Sequence, residues 1–337
     1  MDRKLTSVVR RVRKLERSRW ISCPAFEGDV GAFKLLSSAM PISLEHPAGR
    51  SMSVIPGDIF FATPGHREST RWVVGGVPPE GLLPDSDYWI LSSSGIIGEL
   101  HGWSAQRKSP LGKVKFLGTV GPKQSGRTNI KKFSVAGAKS NSDNGAPVYL
   151  ILGTSAEVGK TTAGLTILRS LLHQGHSTVV VLKATGTSSI VELLTYRDFG
   201  ASAAFDCVDF GIPTTYPSDR SDISRVFNRA IKHILAMPAD AVLIECGGDI
   251  LGANVPVFLG CLKQKRSAEK IVLAAADSLA ALGGLSILDK MGFSVNLLTG
   301  PCTDTPTLLE RTQKLCGVRA LNMLGNNDAK MSSVTGA

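Results

Sequence analysis

The passage VYLILGTSAEVGKTTAGLTILRSLLHQG, residues 148–175, constrains the fold more than any other. It reads as a buried strand, a glycine-bounded turn, and a helix whose apolar residues recur at helical spacing before a closing glycine. A helix start leaves its first N–H groups without intrahelical partners, so such a turn offers donors to phosphate oxygens. Lys160 can bridge β- and γ-phosphates, and the Thr161 hydroxyl can ligate Mg2+. Gly153, Thr154, Glu157, Val158, Gly159, Lys160, Thr161 and Thr162 are the expected nucleotide cradle. The strict phosphate-loop pattern has four residues between its first glycine and the Gly-Lys-Thr. Here five residues separate Gly153 from Gly159, and the departure falls at Thr154. The competing reading is a glycine-rich turn that serves only tight packing.

The text around this passage divides the chain. Residues 1–20 carry Leu5, Val8, Val9, Val12 and Leu15 at helical spacing among arginines and lysines, which predicts a basic amphipathic helix. Residues 21–120 are short β-rich runs such as IPGDIFFATPGH and DYWILSSSGIIGEL, broken by Gly and Pro, and predict a small mainly-β domain. Residues 121–146 are rich in Gly, Ser, Asn and Lys and read as a linker or mobile loop, with one short strand at KKFSVAG. Residues 147–330 alternate strands and helices. Strands are expected at 148–152, 178–183, 240–245, 270–275, 293–298 and 318–323, and helices from near 160, 222, 255, 277 and 305. Runs such as TVVVLK and AVLIEC are nearly continuously apolar, as in a parallel sheet covered on both faces. The expected fold class is therefore α/β: a domain with a mostly parallel sheet and a phosphate loop, preceded by a mainly-β domain.

The loop GTSAEVGKTT resembles that of dethiobiotin synthetase and its relatives, a branch of the P-loop NTPases. The resemblance implies ATP and Mg2+ as cofactors and the phosphorylation or activation of a small carboxylate-bearing metabolite. It implies a catalytic Lys183, at the end of VVVLK, and a magnesium-binding Glu245 that also serves catalysis, in VLIECGGD. Asp209 in VDFG is implied as a further magnesium ligand, with Asp206 as the weaker match, and Gly247 and Gly248 as a close approach to phosphate or substrate. Ala184 stands where that group commonly has proline, and Cys246 directly follows the glutamate. The loop together with ATGTSSIVE is also similar to P-loop proteins of N-acyl-D-amino-acid metabolism, which implies an amino-acid-derived acceptor and an acyl-CoA in place of ATP. A third reading is an ATP-dependent regulatory or assembly protein. A homodimer is implied by the resemblance.

Charge bears on partners. Net charge is +10, and the first 20 residues hold eight basic against two acidic side chains. That segment could meet nucleic acid or an anionic membrane surface, against the plainer reading of a helix packed on its own domain. YWILSSSG lacks the basic residues that interleave with aromatics on a single-strand-binding surface. No apolar run reaches the ~20 residues needed to cross a bilayer, and the N-terminus has no apolar signal core, so a cytoplasmic protein is expected. Six scattered cysteines lack metal-ligand spacing and read as free thiols. Weaker candidates for contacts to a base or acceptor are Asn296, Asn322, Thr303, Asp304, Thr305, His66 and Arg67.

Overall fold

The computed structural model describes residues 4–13, 15, 19–37, 41–69, 72–105, 112–121, 127–136, 143–216 and 221–323. The chain forms two compact units. One comprises Met1–Ala136, Thr187–Leu194 and Asp206–Arg220, and the other Gly137–Gly186, Thr195–Phe205 and Ser221–Ala337. The mainly-β half therefore extends past residue 120 and recruits two short segments from the second half of the chain.

In the first unit, strands Ile59–Pro64, Gly31–Ser37, Lys113–Val120, Asp87–Ser92 and Ile96–Trp103 pair successively. Ile96 and Ile97 then pair in parallel with Thr63 and Pro64, which closes the ring into a small barrel. Alternation along the strands divides the apolar residues between two clusters. Phe33, Leu35, Phe60, Ala62, Tyr88, Ile90, Val114 and Phe116 share one cluster. Their sequence neighbours Ala32, Phe61 and Leu91 share the other with Val8, Val9, Val12 and Leu15.

The expected N-terminal helix is replaced by another arrangement. Lys4–Leu5 is a strand paired with Phe60 and Phe61, and Ser7–Val9 is a single 3-10 turn. The N–H groups of Thr6 and Val8 donate to the carbonyls of Phe61 at 3.2 Å and Ser94 at 2.9 Å, so long-range backbone pairing overrides the helical spacing. Three of the basic residues are also engaged. Arg10 Nη2 lies 2.6 Å from Asp206 Oδ1 and 2.8 Å from Asp209 Oδ2, while Arg11 Nη1 lies 3.1 Å from Asp209 Oδ1. Lys4 pairs with Asp58. Within the expected linker, KKFSVAG gives no strand. Ile130–Phe133 is a 3-10 turn capped by the Asn129 side chain, with Ile130 buried.

Glu45 closes another junction of this unit. Its carboxylate accepts from Ser7 Oγ at 2.9 Å, Ser189 Oγ at 2.9 Å and the Ile190 N–H at 3.0 Å, at the start of helix Ile190–Asp198. A carboxylate there meets free helical N–H groups and the positive end of the helix dipole. Glu45→Ala is expected to cost about 1–3 kcal/mol in urea denaturation. A loss under about 0.5 kcal/mol would contradict that role.

The second unit is built on β1 (Val148–Gly153), β2 (Val179–Thr185), β3 (Ala203–Phe205), β4 (Ala241–Cys246), β5 (Lys270–Ala274) and β6 (Leu297–Thr299). Its helices are α1 (Lys160–His173), the end of α2 (Ile190–Asp198), α3 (Ile223–Leu235), α4 (Val255–Lys263), α5 (Ser278–Lys290) and α6 (Pro306–Cys316). The strands run in the order β3-β2-β4-β1-β5-β6, and every pairing is parallel. β1, β2 and β4 are buried throughout, which accounts for their unbroken apolar runs. From β1 the order proceeds one way to β2 and β3 and the other way to β5 and β6. In open α/β sheets such a reversal opens a crevice at the C-terminal strand ends. α2 and β3 are short elements beyond those expected. The expected strand 318–323 is reduced to a bridge between Ala320 and Leu298.

Candidate functional site

The turn between β1 and α1 shows how the five-residue spacing is accommodated. The Thr154 N–H donates to Ala274 O at 3.0 Å, extending the pairing with β5, and its hydroxyl accepts from the Ala276 N–H at 3.2 Å. The extra residue thus lengthens the strand edge. Beyond it, Glu157 at φ 61° and Gly159 at φ 84° both take the left-handed conformation. Such residues in a turn produce concave runs of N–H groups that suit anions, and Glu157 holds this geometry despite its side chain.

Lys160 folds back over the turn. Its Nζ donates to Ser155 O at 2.7 Å. A Cβ on Gly153 would lie 2.7 Å from Lys160 Cδ, so a side chain there would displace the lysine stem. Burial, with the like charge of Lys183, holds the ammonium down to about 8 against the attraction of Glu245. Val158 is buried, and a Cβ on Gly300 would come within 2.6 Å of its carbonyl oxygen. The Thr162 carbonyl accepts from the Thr166 hydroxyl within α1.

Glu245 ends β4 beside this turn, 2% exposed. Its Oε1 accepts from Thr161 Oγ1 at 3.0 Å and its Oε2 from the Tyr196 hydroxyl at 2.7 Å. Burial and the neighbouring Glu245 carboxylate raise the Tyr196 phenol well above its ordinary pKa, so it remains a donor. Lys183 on β2 stands in register with Glu245 on β4. Gly247 is confined by the Thr185 carbonyl, only 2.4 Å from where a Cβ would be. The Cys246 thiol is pushed up to about 12 by burial, which removes it as a nucleophile near neutral pH. Asp249 Oδ1 accepts from the Leu251 and Gly252 N–H groups at 2.9 and 2.8 Å, and its charge also favours the Lys160 ammonium.

Lys160, Thr161, Lys183 and Glu245 are therefore brought together. Mg2+ binds through one or two carboxylates, waters and substrate phosphates, and a hydroxyl hydrogen-bonded to a buried carboxylate beside a phosphate-type turn fits that donor set. Among the described residues, no group of three or more His, Cys, Asp or Glu side chains is placed to hold a metal by itself. Asp209 belongs to the first unit, where Arg10 and Arg11 hold it and it completes a capping box with Asp206 around the 3-10 turn Cys207–Phe210. Five of the weaker candidates have structural partners. Asn296 Oδ1 accepts from the Ile271 N–H, Thr303 and Thr305 make local caps, Asn322 Nδ2 donates to Asp304 O, and Arg67 donates to Leu91 O. Sequence reasoning overlooked Tyr196 and Asp249. The first lies on an unexpected helix, and the second is visible only as the residue closing the quoted ECGGD.

No protein-family model matches the chain, and no curated protein matches it. Solved structures do. One is the signal recognition particle receptor FtsY from Elizabethkingia anophelis in complex with GDP, at 16% identity over 50% of this chain and 53% of that one, with TM-score 0.32. A ParA family ATPase from Chlorobium tepidum matches at 11% identity over 56% and 96% of the two chains, with TM-score 0.33. A DUF1611 family protein from Anabaena variabilis matches at 10% identity over 62% and 64%, with TM-score 0.41. The chain spans about half the length of the FtsY receptor. The second unit is a parallel-sheet, P-loop-like α/β domain with flanking helices, on the evidence of its own strand order, turn and helix. The narrower dethiobiotin synthetase-like group is not singled out. Among the described residues, no helix is long and apolar enough to cross a membrane.

Proposed function

We propose that this chain binds a nucleoside triphosphate with Mg2+ on the β1–α1 turn and hydrolyses it, and that nucleotide state governs assembly with a second copy. The observation that carries the nucleotide reading is the convergence of Lys160, Thr161 and Glu245 at one sheet edge. Backbone N–H groups and Lys160 would hold the phosphates, while Thr161 and Glu245 would hold Mg2+, which supplies charge compensation when bound. Lys183 would add positive charge where the transferring phosphoryl group gains negative charge. Asp209 has no part in this assignment.

Exposed apolar residues beside the turn support assembly. Leu251 is 64% exposed, Leu279 70% and Leu282 42%. The Ile250 N–H donates to Gly153 O at 3.0 Å, which ties the Leu251 segment to the end of β1. On α5, a Cβ at Gly284 would lie 3.0 Å from Thr154 Cγ2, so that helix also abuts the turn. Apolar side chains exposed to this degree are candidates for protein contact. Sedimentation with a non-hydrolysable ATP analogue is expected to show a dimer, and L279D/L282D a monomer that binds nucleotide within about twofold of the parent. A chain monomeric in every nucleotide state would refute the assembly step.

A second reading, phosphorylation of a small carboxylate-bearing or amino-acid-derived metabolite, is favoured by Lys183, a buried cation in register with Glu245. Small acids that stimulate ADP release and appear as phosphorylated products would select it. Binding of acetyl-CoA with no response to ATP would select acyl transfer.

A further inference from the structure

The geometry points to Tyr196 as a positioning residue that sets the cation-binding geometry of Thr161 through Glu245. The inference rests on the nucleotide and Mg2+ reading above. Glu245 is almost fully buried and uses its two oxygens differently. Oε2 receives the Tyr196 hydroxyl at 2.7 Å, and Oε1 receives the Thr161 hydroxyl at 3.0 Å. Both donors are neutral, so neither cancels the carboxylate charge. A threonine hydroxyl that donates its single proton to Glu245 keeps its lone pairs for a cation. Fixing Oε2 therefore fixes Oε1, and with it the direction in which Thr161 offers those lone pairs.

Helix α1 is adapted to this contact. A Cβ at Gly164 would stand 2.0 Å from the Tyr196 hydroxyl oxygen and 2.9 Å from its Cζ. Glycine is disfavoured inside helices, and here its missing side chain is the space the phenol occupies. Tyr196 is fully buried, and its hydroxyl reaches the carboxylate from within the protein. It can thus orient a metal-binding group without touching nucleotide. The arrangement matches the general rule that outer partners orient metal-binding groups and tune their affinity.

The test is calorimetric titration of ATP into the full-length parent, Tyr196→Phe and Gly164→Ala, each with Mg2+ and with EDTA. Tyr196→Phe removes only the hydroxyl, while Gly164→Ala displaces it with the tyrosine retained, so one variant serves if the other fails to fold. For both, affinity in EDTA is expected to stay within about twofold of the parent, whereas the gain conferred by Mg2+ falls by at least about tenfold. Excess Mg2+ should restore binding. An unchanged Mg2+ gain in a folded variant, or an equal loss with and without Mg2+, overturns the inference. Parent protein that binds no ATP in either condition overturns the nucleotide reading, and this inference with it.

Discussion

Lys160→Ala is expected to weaken Mg2+-ATP binding at least about tenfold, a loss of ~1.4 kcal/mol, and to lower turnover by about 10²–10³-fold. The lysine is buried and held by Ser155 O, so its removal takes away a cation already aimed into the turn. The effect carries a pH signature. Burial holds the free ammonium down to about 8, outweighing the attraction of Glu245. Bound phosphate favours the charged form, so binding takes up protons in this range. Parent affinity should be flat well below pH 8 and fall as pH rises through it, and the alanine variant should lack that slope. Titrations across this range check both parts, and an identical pH profile in the two proteins would contradict the assignment.

Arg10→Ala should be the most destabilising single change in the first unit, at about 3–5 kcal/mol. Asp206 is 1% exposed and Asp209 9% at their side chains, and Arg10 contacts both. Burial works against the guanidinium charge, but the two carboxylates outweigh it and hold the group protonated, above its ordinary pKa. Truncation strands Asp206 and leaves Asp209 with Arg11 alone. Arg10→Met combined with Asp206→Asn and Asp209→Asn should recover much of the loss, because no buried charge is then unmatched. Denaturant unfolding measures both. A loss under about 1 kcal/mol for Arg10→Ala would mean that solvent reaches the cluster.

The same arginine marks where the sequence misleads. Val8, Val9, Val12 and Leu15 do face an apolar core, as their spacing suggests. Yet the N–H groups of Thr6 and Val8 find long-range carbonyl partners, and Arg10 and Arg11 find buried aspartates. Neither partner can be seen from within the first 20 residues. The arginine partners of Asp209 were hidden for the complementary reason, since an acidic residue at a turn looks alike whether it faces a cation or an arginine. The α/β half was more legible. Buried parallel strands leave apolar runs such as AVLI, and caps such as Asp277 and Thr305 mark helix starts locally. The loop residues and Glu245 stand out as candidates because each lies in a short contiguous motif. Tyr196 could not, because its meaning depends on Gly164 and Glu245, each distant in the chain.

On this reading the β1–α1 turn holds a nucleoside triphosphate with Mg2+. Calorimetric titration of ATP into the intact parent protein, with and without Mg2+ and beside acetyl-CoA, tests it most directly. One ATP per chain is expected to bind, more tightly with Mg2+. No ATP binding in either condition would contradict it, whether or not acetyl-CoA binds.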